Sequence, residues 1–273
     1  MVEVLRLNQP YTFKVKQESI KSILIHAQPK SSSGDPVSVG DLTHVTIDLT
    51  LRNDLNPNLS TQIFSGNLKD LLESMYCQTT YNQIIYRAHD QAGHFITLRF
   101  DDYPIETTAN TYLEIKTNFS QNAFPSAVLA NSSVTLETIP SEVPNYNNII
   151  PVIDTYYIGN NSNRFDENIG SDVVGLVSVI EYGKSLLQTQ KAKISSMELT
   201  AFGGYNKSVS EAVLLAENYQ IIGATRTGAY PTNYVLYNNT NAPLDDSRLK
   251  ISFTDNTDST QKILVIRLVQ PFA

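Results

Sequence analysis

The sequence is poor in two residues on which many extracellular proteins depend. It contains one cysteine, Cys77, and no tryptophan among its 273 residues. A single thiol excludes any disulfide within the chain, so packing alone must hold the fold, as suits assembly in a reducing cytoplasm. Charged residues make up 17% of the chain, below the ordinary share of about 25%. We therefore expect much of the surface to face protein.

The balance of charge argues against nucleic acid as a direct partner. Lys and Arg number 20 against 27 Asp and Glu, which gives a formal net charge of −7. A surface that coats nucleic acid needs clustered Lys and Arg to release phosphate counterions. The opening residues MVEVLRLNQPYTFKVKQ contain no continuous apolar stretch, and no long apolar run follows. We expect neither a standard export signal nor a membrane span.

Alternation of apolar and polar residues dominates the chain. Such alternation is typical of strands with one buried face. The segments between them, such as QPKSSSGDP and NNTNAPLDD, are rich in turn-forming residues. We therefore predict an all-β protein. The alternating segments are Tyr11–Gln17, His44–Leu51, Phe95–Phe100, Thr111–Phe119, Ser133–Ile139, Ile194–Phe202, Arg248–Thr254 and Lys262–Val269.

Only two segments have a helical pattern, SGNLKDLLESMY and SVSEAVLLAENY. In each, a serine can cap the first turn, an acid follows, and apolar residues recur at three- and four-residue spacing. We predict two short helices in equivalent places. Leu72 and Val213 are then expected to be buried, each against its own half of the chain.

The two halves repeat one order of elements, in which a strand, a polar loop, a strand and a short helix precede several more strands. Three matches occur in the same order: Asp48-Leu49-Thr50 with Glu198-Leu199-Thr200, 68–72 with 209–213, and 113–116 with 249–252. Duplication explains this order, and an eight-stranded sandwich with two Greek keys is a jelly roll. We predict a first jelly roll over 1–142, a Pro-containing linker over 143–152 and a second jelly roll over 153–273.

With two jelly rolls in tandem, the chain resembles the double jelly-roll major capsid proteins of tailless, icosahedral, membrane-containing phages of the corticovirus PM2 type. The opening EVLRLNQPYTFKVKQESIKSILI is similar to their short leading segment before a first strand. The stretch THVTIDLTLRNDLNPNLSTQIFSGNLKDLL resembles their strand with a following short helix. The resemblance covers nearly the whole chain and is one of architecture and order.

The resemblance implies a structural tile that assembles as a homotrimer into an icosahedral virion shell around an internal membrane. Its partners would be neighbouring capsomers, penton proteins and minor membrane-associated virion proteins, with the lipid membrane nearby. Its place would be the virion, after assembly in the host cytoplasm. Two alternatives stay open. One is a receptor- or carbohydrate-binding virion spike, and the other is a double-sandwich glycoamidase, which should show an export signal, disulfides and tryptophan.

No nucleophile motif or phosphate-binding loop occurs, so we predict no enzyme, no catalytic residue and no cofactor. His26 is expected to be a core or interface histidine, and His44 enters a strand. His89 and His94 flank Asp90, but their spacing matches no familiar zinc motif, and a turn between strands is the favoured interpretation.

Paired acids occur just past a strand in each half, at Asp101-Asp102 and Asp245-Asp246. An acid and base pair for glycoside cleavage needs a controlled separation, whereas adjacent strand residues point to opposite faces. Turn residues are the favoured interpretation. A weak structural calcium site with nearby carbonyl oxygens is the alternative.

Overall fold

The structure is a computed structural model that forms two compact units, and the boundary between them falls between Val152 and Ile153. From Val269 onwards the chain belongs to the first unit again. The limits drawn from the sequence, 1–142 and 153–273, stay a prediction. The described residues are 2–5, 9–35, 37, 42–75, 87–89, 93–100, 103–124, 127, 132–146, 148–159, 161–179, 194–222, 233–257 and 261–272.

The first unit contains two antiparallel sheets. Its described strands are β1 (Val2–Leu5), β2 (Pro10–Lys16), β3 (Ser19–Gln28), β4 (Val45–Asn53), β5 (Ser60–Asn67), β6 (Arg87–His89), β7 (Gly93–Arg99), β8 (Ile105–Glu106), β9 (Thr111–Phe119) and β10 (Ser133–Pro140). Sheet 1a has the order β1-β10-β3-β7-β6, with β8 paired to β3. Sheet 1b has the order β2-β9-β4-β5.

The second unit also contains two antiparallel sheets. Its described strands are β11 (Ile150–Tyr157), β12 (Arg164–Gly170), β13 (Val173–Val179), β14 (Ile194–Ala201), β15 (Tyr205–Ser210), β16 (Asn233–Asn238), β17 (Ser247–Phe253) and β18 (Lys262–Val269). Sheet 2a has the order β11-β18-β13-β16, and sheet 2b has the order β12-β17-β14-β15.

The strand orders define a jelly roll in each unit. In the second unit the first, eighth, third and sixth strands form one sheet, and the second, seventh, fourth and fifth form the other. The first unit has the same order once the added β6 and β8 are set aside. This is the two-Greek-key arrangement of a jelly-roll sandwich. The prediction of an all-β double jelly roll is confirmed.

A helix follows the fifth strand of each roll, α1 (Leu68–Met75) after β5 and α2 (Glu211–Ile222) after β15. The cap of α1 is Asn67, whose Oδ1 accepts the backbone N–H of Asp70 at 2.9 Å, while its Nδ2 donates to the Asp70 carboxylate at 2.8 Å. The serine cap predicted for this helix is wrong. Ser65 lies in β5 and donates instead to Asp48 at 2.5 Å.

The burial predicted for the two helices is correct in α1 and wrong in α2. Leu72 is 5% exposed, as expected, but Val213 is 44% exposed and Leu214 is fully buried. The prediction for Val213 is wrong because Leu72 is the fifth residue of α1, whereas Val213 is the third residue of α2. Since a helix turns about 100° per residue, the two side chains lie on different faces of their helices. No helix within the described residues is long and apolar enough to cross a membrane.

Alternate burial marks most strands, but β13 and β18 differ. Every residue of β13 is buried, as are the first five of β18. A strand covered on both faces has a continuous apolar sequence because neither face needs polar side chains. This explains the largely apolar runs VVGLVSV of β13 and ILVI of β18, and the buried Lys262 before ILVI is the exception.

Candidate functional surfaces

The acidic pair of the second roll lies in the loop between β16 and β17. Asp245 and Asp246 are both exposed. The Asp246 backbone N–H donates to Ser171 Oγ at 3.0 Å, and the Asn168 amide donates to Asp246 Oδ1 at 3.3 Å. Asp246 has φ of 44°, a conformation that Asp tolerates better than most residues.

The other two candidate calcium ligands, Asp101 and Asp102, lie outside the described residues. Within the residues that the structure describes, no group of three or more His, Cys, Asp or Glu side chains converges as a metal site would require. The calcium site stays a prediction.

The histidines occupy separate places. His26 is half-buried on β3, and its ring stacks on Phe95 with centroids 4.2 Å apart and planes 7° apart. His44 is exposed in a short 3-10 turn before β4. His89 ends β6, opposite Gly93 of β7, and His94 follows in β7, whereas Asp90 lies outside the described residues.

The outward face of sheet 2b carries an open polar depression of about 410 Å³. Three short side chains line it: Ser196 lies opposite Ser252, and Ser208 lies opposite Glu198 on the neighbouring strand. The charged side chains that line it are Arg164, Asp166, Glu198 and Lys250. No histidine or cysteine is among the described residues that line it.

Cross-strand ion pairs organise the charges of this face. Arg248 donates from Nε to one Asp166 oxygen at 2.7 Å and from its second nitrogen to the other at 3.1 Å. These hydrogen bonds lower the pKa of Asp166. Lys250 pairs with Glu198 at 3.2 Å. Asp166 and Glu198 are thus each held in a cross-strand ion pair.

The matching face of sheet 1b is filled by long side chains. Lys14 and Lys16 lie over the ring of Tyr112, with Nζ 4.5 and 5.5 Å from its centroid. Glu114 accepts from Arg52 at 2.7 Å and from Lys116 at 3.2 Å. Burial raises the pKa of Glu114, but the hydrogen bonds from Arg52 and Lys116 outweigh it, so the pKa lies below its usual value.

Neither of these faces was predicted from the sequence. The residues of the cross-strand pairs are far apart in the chain, for example Arg248 and Asp166, and only strand register brings them together. The serines of β14, β15 and β17 were the available signal, but the sequence of a strand alone does not say which strands are its neighbours.

Solved structures with this fold share little sequence with the chain. The major capsid protein P2 from bacteriophage PM2 is 12% identical, with a TM-score of 0.54 over 98% of this chain and 97% of that one. The STIV MCP is 15% identical, with a TM-score of 0.58 over 99% and 97%. The PBCV-1 virus capsid is 10% identical, with a TM-score of 0.52 over 98% and 93%.

No protein-family model and no curated protein sequence matches the chain. The likeness is therefore one of fold. It is the double jelly-roll fold of viral major capsid proteins, and it extends over nearly the whole length of the chains compared.

Proposed function

We propose that the chain is a major capsid protein, a structural tile of a virion shell. The observation that carries the proposal is the pair of jelly rolls with one strand order, shared over nearly full length with solved capsid proteins. A capsid tile functions through its shape and its contacts with neighbouring subunits, so this function needs no catalytic group. A spike more often combines unlike domains, whereas the two units here are alike.

The tile is a homotrimer in the shell of an icosahedral virion that encloses a membrane. Three copies of a chain with two like rolls supply six rolls, which can form a closed ring through heterologous contacts. The partners are neighbouring capsomers, penton proteins and minor membrane-associated virion proteins. Assembly takes place in the host cytoplasm, where a chain with a single cysteine needs no oxidising compartment.

Sedimentation velocity with light scattering on the purified chain tests this function. We expect a mass three times that of the chain at micromolar concentration, and larger sheets or shells whose amount depends on salt and divalent ions. A trimer that resists dilution indicates an obligate interface, which typically buries more than about 2,000 Å². A strictly monomeric protein over the whole range of ionic strength would contradict the proposal.

A further inference from the structure

The polar depression on the outward face of sheet 2b covers two neighbouring rows of paired residues. One row contains Arg164, Ser252, Ser196 and Ser210, and the next contains Asp166, Lys250, Glu198 and Ser208. All of these except Ser210 line the depression. The apolar residues that also line it, Phe165, Met197 and Ile251, are 6%, 1% and 1% exposed and offer little surface to a ligand. A ligand in the depression would therefore meet mainly polar groups.

Arg164 differs from the other charged residues of this face in its lack of an ion pair. Both oxygens of Asp166 accept hydrogen bonds from Arg248, and Glu198 is paired with Lys250. The guanidinium of Arg164 forms no ion pair with any residue that the structure describes. Because both acids already have a cation, Arg164 can receive an anion from outside the chain.

The backbone of Arg164 is fixed although its side chain is exposed. Ser162 Oγ accepts the backbone N–H of Arg164 at 3.2 Å and donates to its carbonyl at 2.5 Å. The three basic and two acidic side chains named above leave one positive charge in excess, on a chain whose formal net charge is −7. This part of the face is thus locally suited to one negative charge.

Sheet 1b lacks this arrangement at the same place in its roll. An acid and a lysine also lie opposite each other there, Asp48 and Lys116. Their row matches that of Glu198 and Lys250. The places of Arg164, Ser252 and Ser196 in the next row are taken by Pro10, Asn118 and Thr46. The depression is therefore a feature of the second roll and does not follow from the fold alone.

We propose that the depression around Arg164, Ser196 and Ser252 binds a carboxylated sugar, such as a uronic acid residue of an acidic polysaccharide. The site goes beyond the proposed function, because one chain forms it without a neighbouring copy. Its depth suits one small ligand, since about 410 Å³ lies near the lower end of the roughly 300–1,000 Å³ of small-molecule sites.

The charge of the site favours a carboxylate as the anionic group. A guanidinium presents parallel N–H donors that match the two oxygens of a carboxylate. One free cation balances one negative charge. A doubly charged phosphate group would also be repelled by the nearby carboxylates of Asp166 and Glu198.

The serine hydroxyls favour a ligand that carries hydroxyl groups of its own. The side chains of Ser196, Ser208 and Ser252 have no hydrogen-bond partner among the described residues. Each can donate one hydrogen bond and accept two, as can each hydroxyl of a sugar. Because Phe165 is buried, no exposed ring is present among the described lining residues for the sugar to stack on. We therefore expect weak binding, with a dissociation constant of about 1 mM.

Saturation-transfer NMR on the purified chain tests the class of ligand. Glucuronate supplies a carboxylate and hydroxyls, glucose supplies hydroxyls alone, and acetate supplies a carboxylate alone. We expect glucuronate to bind, and glucose and acetate each to bind about tenfold more weakly or less, because each lacks half of the contacts. Inorganic phosphate at the same concentration as glucuronate should not displace it.

Variants of the depression test its location. Arg164→Gln should weaken glucuronate binding about tenfold or more, because it removes the charged hydrogen-bond donor, and Arg164→Lys should recover part of the loss. Ser252→Val keeps every charge but fills the space beside Arg164, so it should weaken binding to a similar extent. Lys14→Gln removes a positive charge from the outward face of sheet 1b and should leave binding unchanged.

Several results would overturn the site. No detectable binding at ten times the expected dissociation constant excludes it. Equal binding of glucose or acetate, or displacement by phosphate, shows that the ligand is not a carboxylated sugar. An unchanged affinity in Arg164→Gln, or an equal loss in Lys14→Gln, shows that the depression is not where glucuronate binds. The mass of the same samples tests the capsid tile separately, so either result can fail without the other.

Discussion

Each jelly roll has a helix after its fifth strand, but the polar contacts of the two helices differ. In the first roll, Asn67 and Asp70 join their side chains at the start of α1. In the second, Asn218 is fully buried near the middle of α2. Its Nδ2 donates to the carbonyls of Leu214 and Val235 at 2.8 and 3.1 Å, and its Oδ1 accepts the N–H of Val235 at 2.7 Å.

This difference separates the features that the two rolls share from those in which they differ. Strand order and an apolar contact under each helix are common to both rolls. The polar contacts differ between the two rolls, because a buried backbone group needs a hydrogen-bond partner but does not determine which side chain provides it. Substitutions in the two helices can therefore test the equivalence of the rolls position by position.

The largest effect is expected from the buried leucines. Leu71→Ala in α1 and Leu214→Ala in α2 should each lower the free energy of unfolding of their roll by about 2–5 kcal/mol, because each leaves a cavity under a helix. Val213→Ala is the matched control and should change it by less than about 0.5 kcal/mol, since Val213 is exposed. Urea unfolding measures all three. An equal cost at 213 and 214 would show that the phase of α2 is wrong.

A smaller effect is expected from Asn218→Ala. The change leaves a buried backbone N–H and a buried carbonyl of Val235 without their partner, at a cost of about 2–3 kcal/mol to the second roll. Asn241→Ala, on the exposed loop before β17, serves as the control and should be nearly neutral. Thermal unfolding followed by circular dichroism measures both. A loss confined to the first roll would contradict the assignment of Asn218.

The cap of α1 should contribute less. Asn67→Ala removes the acceptor for the Asp70 N–H and should cost about 1 kcal/mol, while Asn67→Ser should restore most of that loss, since serine also caps helices. Urea midpoints of the two variants measure the difference. If serine and alanine behave alike, capping is not the role of Asn67.

The smallest effect concerns pH and the ion pairs of Glu114 on sheet 1b. Because the folded-state pKa of Glu114 lies below its usual value of 4.5, the carboxylate stabilises the first roll above that value, and this contribution is lost as pH falls through the lower folded pKa. Glu114→Gln should therefore flatten the decline of stability on the acid side of pH 4.5. The slope of melting temperature against pH between 3 and 6 measures it, and an unchanged slope would rule out the ion pairs as its cause.

The sequence was sufficient for the class of fold and for the order of its elements. Alternation marked strands such as β4 and β17, and three matches in one order indicated the duplication. The phase of a helix was less accessible, as Val213 shows, because VLL offers neighbouring apolar residues and the buried one depends on how the helix meets the sheets.

The surfaces were not accessible from the sequence, since they depend on register between distant strands. The contact between Arg248 and Asp166 spans 82 positions, and the stacking of His26 on Phe95 also joins separate strands. The difference in burial between the third strands of the two rolls was visible only as a difference in composition. The strand β3 contains SILIHAQ, whereas β13 is VVGLVSV. Composition became informative once both strands were known to hold the same place.

Strand pairing also determines when each sheet can form during biosynthesis. Val2 pairs with Glu137, and Tyr11 pairs with Thr117, so sheets 1a and 1b need nearly the whole first half of the chain before they can close. At the usual 5–20 residues per second, the ribosome needs roughly 7–30 s to add the residues between Val2 and Glu137. A helix such as α1 can form within microseconds, but its strands must wait. Because the second half is made later, the largely buried strands β13 and β18 emerge only after all ten described strands of the first roll have been made.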